Sequence, residues 1–292
     1  MAARRSWSCL AFIDPCRPVV RSEAAMATFV LSDGRNLCFS ETGDGPPLLL
    51  IHGSPGEGRA WNRVVPLLDR QFRVLTPDLP GYGGSAPLPE AGGGTAAMAA
   101  DVGELVASLG EPVFLAGHSY GGNVALHVMA ASPDRIRGLA LFEPVFFRAL
   151  ELNGDQAALN EAGRFFASYA TRAAAEEKDA IADMIDYWFG ASAFNRLPPP
   201  VQGFLRASAA KNAGDVIASF AETLSGASLA RFDRPLAVAH GTASAPVAVA
   251  IAQALGLLAP AARVVAIAGA SHGMTDTHSR EVAEIILDLR QG

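Results

Sequence analysis

The 292-residue chain is 50% hydrophobic and only 18% charged, with a formal net charge of −6, a balance that supports a large buried core and excludes an intrinsically disordered protein. Apart from a few arginines near the start there is no basic cluster, which excludes the electrostatic footprint that nucleic acid binding needs. The length suits one large α/β core carrying an insertion.

Residues 1–25 place Arg4 and Arg5 before the apolar run Trp7 to Ile13, as a signal peptide would. Asp14-Pro15 cuts that run short and no small-residue cleavage site follows, so the segment is expected to be a disordered tail upstream of Met26. Cys9, Cys16 and Cys38 are odd in number and form neither a CxxC nor a Cys/His spacing. That usage points to reduced thiols, a cytoplasmic location and no metal site. No run of about 18 strong hydrophobes occurs, so no membrane span is expected. Oligomeric state is not legible.

Thr28 to Leu31 and Asn36 to Ser40 flank the turn pair Asp33-Gly34 and predict an opening hairpin. Leu48 to His52 is a short all-apolar run of the kind buried on both faces of a sheet, and Phe72–Thr76, Val113–Ala116, Leu139–Phe142, Leu236–Ala239 and Val264–Ile267 repeat it. Between these runs lie helical patterns. Met98, Val102, Leu105, Val106 and Leu109 share one face, with Thr95 as the expected N-cap and Gly110 as the stop. Pro246 suits the first turn of a helix reaching Leu258. Alternation of this kind predicts an α/β protein with a mostly parallel eight-stranded sheet and helices on both faces. It is interrupted over 144–234, where Ala162–Tyr169 and Ala173–Trp188 look helical and Leu197-Pro198-Pro199-Pro200 breaks the pattern before further helical turns. The expected organisation is a core of 26–143 and 235–292 with a helical cap of 144–234.

The chemistry centres on Gly117-His118-Ser119-Tyr120-Gly121. The pattern is short, but it follows an apolar strand and precedes a helical segment. In such a turn the serine is held in strained backbone angles above the sheet edge, and small residues on either side prevent backbone collision. A serine hydroxyl needs a base near neutrality and a group that orients the base. His272, in the loop after the last strand, is the best-placed base. His118, His127, His240 and His278 are expected to be structural or superficial. The amides of Ser54, in His52-Gly53-Ser54-Pro55-Gly56, and of Tyr120 are the expected oxyanion donors. His52 is expected to buttress its loop and Asp78 to cap a turn.

The His52-Gly53 loop, the Asp78–Ser85 turn, the Gly117–Gly121 elbow and the His272 loop agree in order and spacing with the α/β-hydrolase superfamily, which the chain resembles from Thr28 to Leu289. That resemblance implies the α/β-hydrolase fold with a cap and a serine, acid, histidine triad. One departure stands out. The family usually carries its acid after the strand that here ends at Ala239, in a Gly-x-x-Asp pattern, whereas this chain has Gly241-Thr242-Ala243-Ser244. Glu143, after the preceding strand, is expected to take that role, as the resemblance to certain haloalkane dehalogenases implies. Asp276, Asp233 or no acid at all are the alternatives. Dehalogenases and epoxide hydrolases of this fold use aspartate at the elbow, so Ser119 favours acyl-enzyme chemistry instead.

The expected activity is a carboxylic ester hydrolase for small to medium apolar esters, with no cofactor and no metal, its pocket lined by some of the aromatics from Phe146 to Phe194. Carbon–carbon hydrolysis, acyl transfer and perhydrolysis would use the same constellation. A non-catalytic ligand-binding protein of this fold is the alternative of another class.

Overall fold

The computed structural model describes residues 25–89 and 93–291. But for Ala25, the tail expected over 1–25 lies outside that range. Strands β1 (Ala25–Val30) and β2 (Asn36–Thr42) form the expected hairpin, with Thr28 opposite Cys38. They are followed by β3 (Pro47–Ile51), helix α1 (Val65–Leu68), β4 (Arg73–Pro77), α2 (Thr95–Ser108), β5 (Val113–His118), α3 (Tyr120–Ala131) and β6 (Ile136–Phe142). Seven helices come next: α4 (Arg148–Asn153), α5 (Gln156–Ala174), α6 (Ala180–Phe189), α7 (Ala193–Arg196), α8 (Pro199–Ala207), α9 (Ala209–Phe220) and α10 (Gly226–Ala230). The chain closes with β7 (Leu236–Gly241), α11 (Pro246–Leu258), β8 (Ala262–Ile267), α12 (Met274–Thr277) and α13 (Ser279–Asp288).

The eight strands form one sheet in the order β1-β2-β4-β3-β5-β6-β7-β8. Only the β1–β2 and β2–β4 pairs are antiparallel. Side chains alternate between two apolar layers, as the two-residue period of a strand dictates. Leu49, Ile51, Leu115 and Leu141 face the layer of α2, α3 and α11, whereas Leu48, Leu50, Ala116 and Phe142 face that of Trp61 and α13. A fully buried leucine contributes roughly 1.5–3 kcal/mol, which is why these runs carry no polar residue.

The differences from expectation are local. Thr95 is the first residue of α2 rather than its cap, and its hydroxyl turns inward to Tyr120 at 3.3 Å. The continuous helix expected over Ala173–Trp188 is broken between Ala174 and Ala180, where the chain reverses through Glu176 at φ 56°. Strand β8 lies at the sheet edge with Val264 38% exposed, so its apolar run is not buried on both faces. Among the described residues no helix is long and apolar enough to cross a membrane.

Candidate active site

Chain order along the sheet reverses beside β3: β4 lies on one flank and β5 on the other. At such a switch point two loops leave the carboxyl ends of neighbouring strands in opposite directions and open a crevice. Ile51 pairs with Gly117, so the His52–Ser54 loop and Ser119 emerge side by side. Ser119 sits at φ 55° and ψ −124°, outside the regions open to most side chains, a strain worth about 1–3 kcal/mol. Its surroundings enforce this. The Ser119 amide donates to Phe142 O at 3.0 Å. A Cβ on Gly121 would lie 2.4 Å from the His52 carbonyl, and one on Gly53 would lie 2.9 Å from the Ser119 Cβ, so side chains at either position would push elbow and loop apart.

His272 follows β8 and Glu143 follows β6, so both stand at the same sheet edge as Ser119. His272 Nε2 lies 3.0 Å from Ser119 Oγ, and His272 Nδ1 lies 2.8 Å from Glu143 Oε2. The arrangement reads as Nδ1–H donating to the carboxylate while Nε2 accepts from the serine hydroxyl. The second oxygen of Glu143 accepts the Gly241 amide at 2.8 Å and the Ser244 hydroxyl. Burial works to raise the Glu143 carboxyl, but the hydrogen bond and charge of His272, with the Ser244 and Gly241 donors, outweigh it and hold the group below the usual carboxylate range. Glu143 is itself at φ 45°, which turns its side chain off the strand direction.

Ser244 was expected only as the residue that displaces the family's acid. It lies instead against Glu143, the candidate acid. Neither Asp276 nor Asp233 approaches Nδ1: Asp276 pairs with Arg63 and Asp233 is exposed. His127 pairs with Glu222, His240 Nδ1 faces the Gly241 carbonyl at 3.2 Å, and His278 Nδ1 lies 2.9 Å from Thr277 Oγ1. His118 donates from Nε2 to the His272 carbonyl at 2.7 Å, fixing the backbone of the loop that carries the candidate base.

The Ser54 and Tyr120 amides flank the elbow, and among the described residues neither makes a hydrogen bond. Tyr120 opens α3, where first-turn amides point out of the helix and favour negative charge. Asp78 caps its turn, Oδ1 accepting from Gly58 N at 2.8 Å and Oδ2 from Gly84 N at 3.0 Å. His52 is fully buried beneath the Ser54 loop, Nδ1 donating to Gly53 O at 2.7 Å and Nε2 accepting from Leu79 N at 2.8 Å.

Burial pushes His52 down to about 4 and His118 down to about 3, the charge of His272 adding to the effect at His118. An unfolded imidazole takes up its proton near 6.5, so between that value and about 4 the unfolded chain binds more protons than the folded one. Stability is therefore lost as pH falls through this window. Urea unfolding at pH 7 and pH 5 is expected to differ by about 2 kcal/mol from His52 alone, with a smaller contribution from His118, which is partly exposed. Equal unfolding free energies at the two pH values would contradict the buried neutral assignment.

A polar cluster with no signal in the sequence holds the Ser54 side chain. Ser54 Oγ donates to Asp215 Oδ2 at 2.6 Å and accepts from Asn212 Nδ2 at 2.9 Å, while the Tyr82 hydroxyl donates to the same Asp215 oxygen at 2.6 Å. Tyr169 donates to Asn212 Oδ1 at 2.6 Å, and Lys211 Nζ lies 3.5 Å from Asp215 Oδ1. Burial, and then the Asp215 charge, push the Tyr82 hydroxyl well above its ordinary value. Helix α9 thus anchors the loop that carries one candidate oxyanion donor.

Above Ser119 lies a cavity of about 650 Å³, walled on one side by apolar side chains of α6 to α8 and on the other by the Ser54 loop, Arg59, Arg63 and Asp276. Most of the aromatics between Phe146 and Phe194 are packed among themselves, Phe165 stacking on Tyr187 at 4.3 Å. Trp188 belongs to that cluster through Phe166 and Tyr187 and also stacks on the His272 imidazole at 4.5 Å and 20°, while Phe189 meets the imidazole edge-on. Such packing restrains the ring against rotation.

The sequence model of the alpha/beta hydrolase family matches residues 48–285. A non-heme chloroperoxidase of Streptomyces lividans is 31% identical over 278 residues, spanning 87% of this chain and 95% of that protein. A soluble epoxide hydrolase of Corynebacterium sp. (strain C12) is 37% identical over 114 residues, which are 39% of this chain and only 40% of that enzyme. Among solved structures, a thermophilic esterase from Thermogutta terrifontis superimposes with a TM-score of 0.69 at 26% identity, over 92% of this chain and 99% of that one. A family match running from β3 into α13, on a sheet whose switch point carries the strained serine elbow, leaves one assignment: the chain belongs to the alpha/beta hydrolase family.

Proposed function

We propose that this hydrolase works through an acyl-enzyme on Ser119, as a carboxylesterase for small to medium apolar esters. The observation that carries the reading is the unbroken line from Ser119 Oγ through His272, at 3.0 Å and 2.8 Å, to Glu143 beneath an apolar cavity. His272 Nε2 removes the hydroxyl proton as Oγ attacks the ester carbon, and the Ser54 and Tyr120 amides hold the developing oxyanion. His272, now cationic, is stabilised by Glu143 and passes its proton to the departing alcohol. Water then enters, gives a proton to Nε2 and attacks the acyl carbon. Collapse of this second intermediate returns the proton to Ser119 and releases the acid.

Residues 26–143 and 235–292 act as the core in this reading and 144–234 as a cap that keeps water from the acyl-enzyme. Carbon–carbon hydrolysis, acyl transfer and perhydrolysis share the covalent intermediate and differ in the bond broken or in the group that accepts the acyl. The large apolar space reached by His272 fits the alcohol of an ester. A non-catalytic binding role would leave the aligned serine, imidazole and carboxylate without a purpose. Incubation of the folded protein with a fluorophosphonate, followed by peptide mass spectrometry, is expected to place one adduct on Ser119. Absence of an adduct in folded protein would end the acyl-enzyme reading.

A further inference from the structure

Ser119 opens onto two spaces of very different size. The larger, about 650 Å³, includes His272 in its wall together with Trp188, Phe189 and Leu197. The smaller, about 20 Å³, shares Ser54, Met184 and Trp188 with the larger and adds Tyr120, Val145 and Val216 but not His272. The reaction assigns them. A leaving alcohol takes its proton from His272 Nε2, so it must lie on the side where that nitrogen is exposed. The carbonyl oxygen must lie at the Ser54 and Tyr120 amides. The acyl chain, attached to the same carbon, is left with the space that contains Tyr120 and lacks His272.

A space of this size holds about one water-sized group, which is the methyl of an acetyl group and little more. Its walls cannot retreat freely. Val216 lies on α9, which Asn212 and Asp215 tie to Ser54, and Val145 is fixed where its carbonyl accepts Asn123 Nδ2 at 3.0 Å. We propose that the enzyme is an acetyl esterase for bulky apolar alcohols, which excludes acyl chains much longer than acetyl while accepting a large leaving group. This rests on the acyl-enzyme reading of Ser119. In the balanced reaction the acetyl carbon exchanges its bond to the alcohol oxygen for one to Ser119 Oγ, the alcohol leaves with the serine proton, and water then yields acetic acid and free serine.

The test measures kcat/KM of the full chain, by acid release, for 2-phenylethyl acetate, propionate, butyrate and hexanoate, and for ethyl acetate. Rates are expected to fall by about 10- to 200-fold from acetate to butyrate, and 2-phenylethyl acetate is expected to exceed ethyl acetate. Val216→Ala should narrow the acetate-to-butyrate ratio by about tenfold, and Val145→Ala, on another wall, serves the same purpose if the first variant does not fold. Butyrate or hexanoate cleaved as well as acetate by the wild-type chain, with Ser119 still labelled by a fluorophosphonate, would overturn the acyl assignment alone. Loss of labelling together with no cleavage of any ester would overturn the hydrolytic reading beneath it.

Discussion

Alanine in place of Ser119 is expected to lower kcat against an apolar acetate ester by about six orders of magnitude, the size of loss seen when a serine nucleophile is removed from an aligned triad. The size follows from the way the groups act as a unit. Without Oγ, His272 Nε2 has no proton to take and no covalent intermediate forms, while the Ser54 and Tyr120 amides still hold a carbonyl in place. What survives is a residual acceleration of about 10³ to 10⁴ over water from binding and oxyanion stabilisation. For the same reason Ser119→Ala combined with His272→Ala should be no slower than either single change. Single-turnover assays at high enzyme concentration check this, and retention of activity within tenfold by Ser119→Ala would require another nucleophile.

Glu143→Gln should cost about four orders of magnitude in kcat/KM while leaving the fold intact. The surrounding donors dictate the reason. The oxygen of Glu143 that faces Gly241 and Ser244 accepts two hydrogen bonds, so a glutamine must place its carbonyl oxygen there and turn its NH₂ toward His272. Nδ1 must then accept rather than donate, and the remaining proton moves to Nε2. A ring protonated at Nε2 cannot take the serine proton. Ser244→Ala removes one donor and leaves the tautomer unchanged, so its cost should be about tenfold, in line with one hydrogen bond to a charged group. A crippled Ser244→Ala beside a near-native Glu143→Gln would reverse the assignment of roles. Both variants should be compared for thermal unfolding, since Glu143 is only 1% exposed and lies among fixed donors.

Strands, elbow and candidate base were legible because each rests on a local pattern. The runs at Leu48, Val113 and Leu139 announce buried strands, and a serine between two glycines after one of them requires a single backbone geometry. The placing of Glu143 beside His272 was legible by elimination, since Ser244 stood where the family's acid usually stands and the neighbouring strand ended in a carboxylate. The contact from Ser244 to Glu143 was not legible, because it depends on how two loops 101 residues apart meet. The same holds for Asp215 and Asn212. A polar residue on an amphipathic helix reads as a solvated face, and only the packing of α9 against the Ser54 loop turns that face inward. The break before α6 was missed because Ala173 to Lys178 contains no proline or glycine to mark it.

The seat of Asp215 against Ser54 and Tyr82 also limits how this scaffold can be rebuilt. The segment between β6 and β7 enters and leaves at adjacent strands, as though it were an interchangeable module. Yet one of its carboxylates is the acceptor for two hydroxyls that belong to the sheet's own loops. A graft from a relative that lacks an acid at this point would remove the shared acceptor and leave the buried Tyr82 hydroxyl only Ser54 Oγ as a partner, at roughly 1–3 kcal/mol, and would free the Ser54 loop to drift. Any chimera built on this chain must therefore carry α9 with its host.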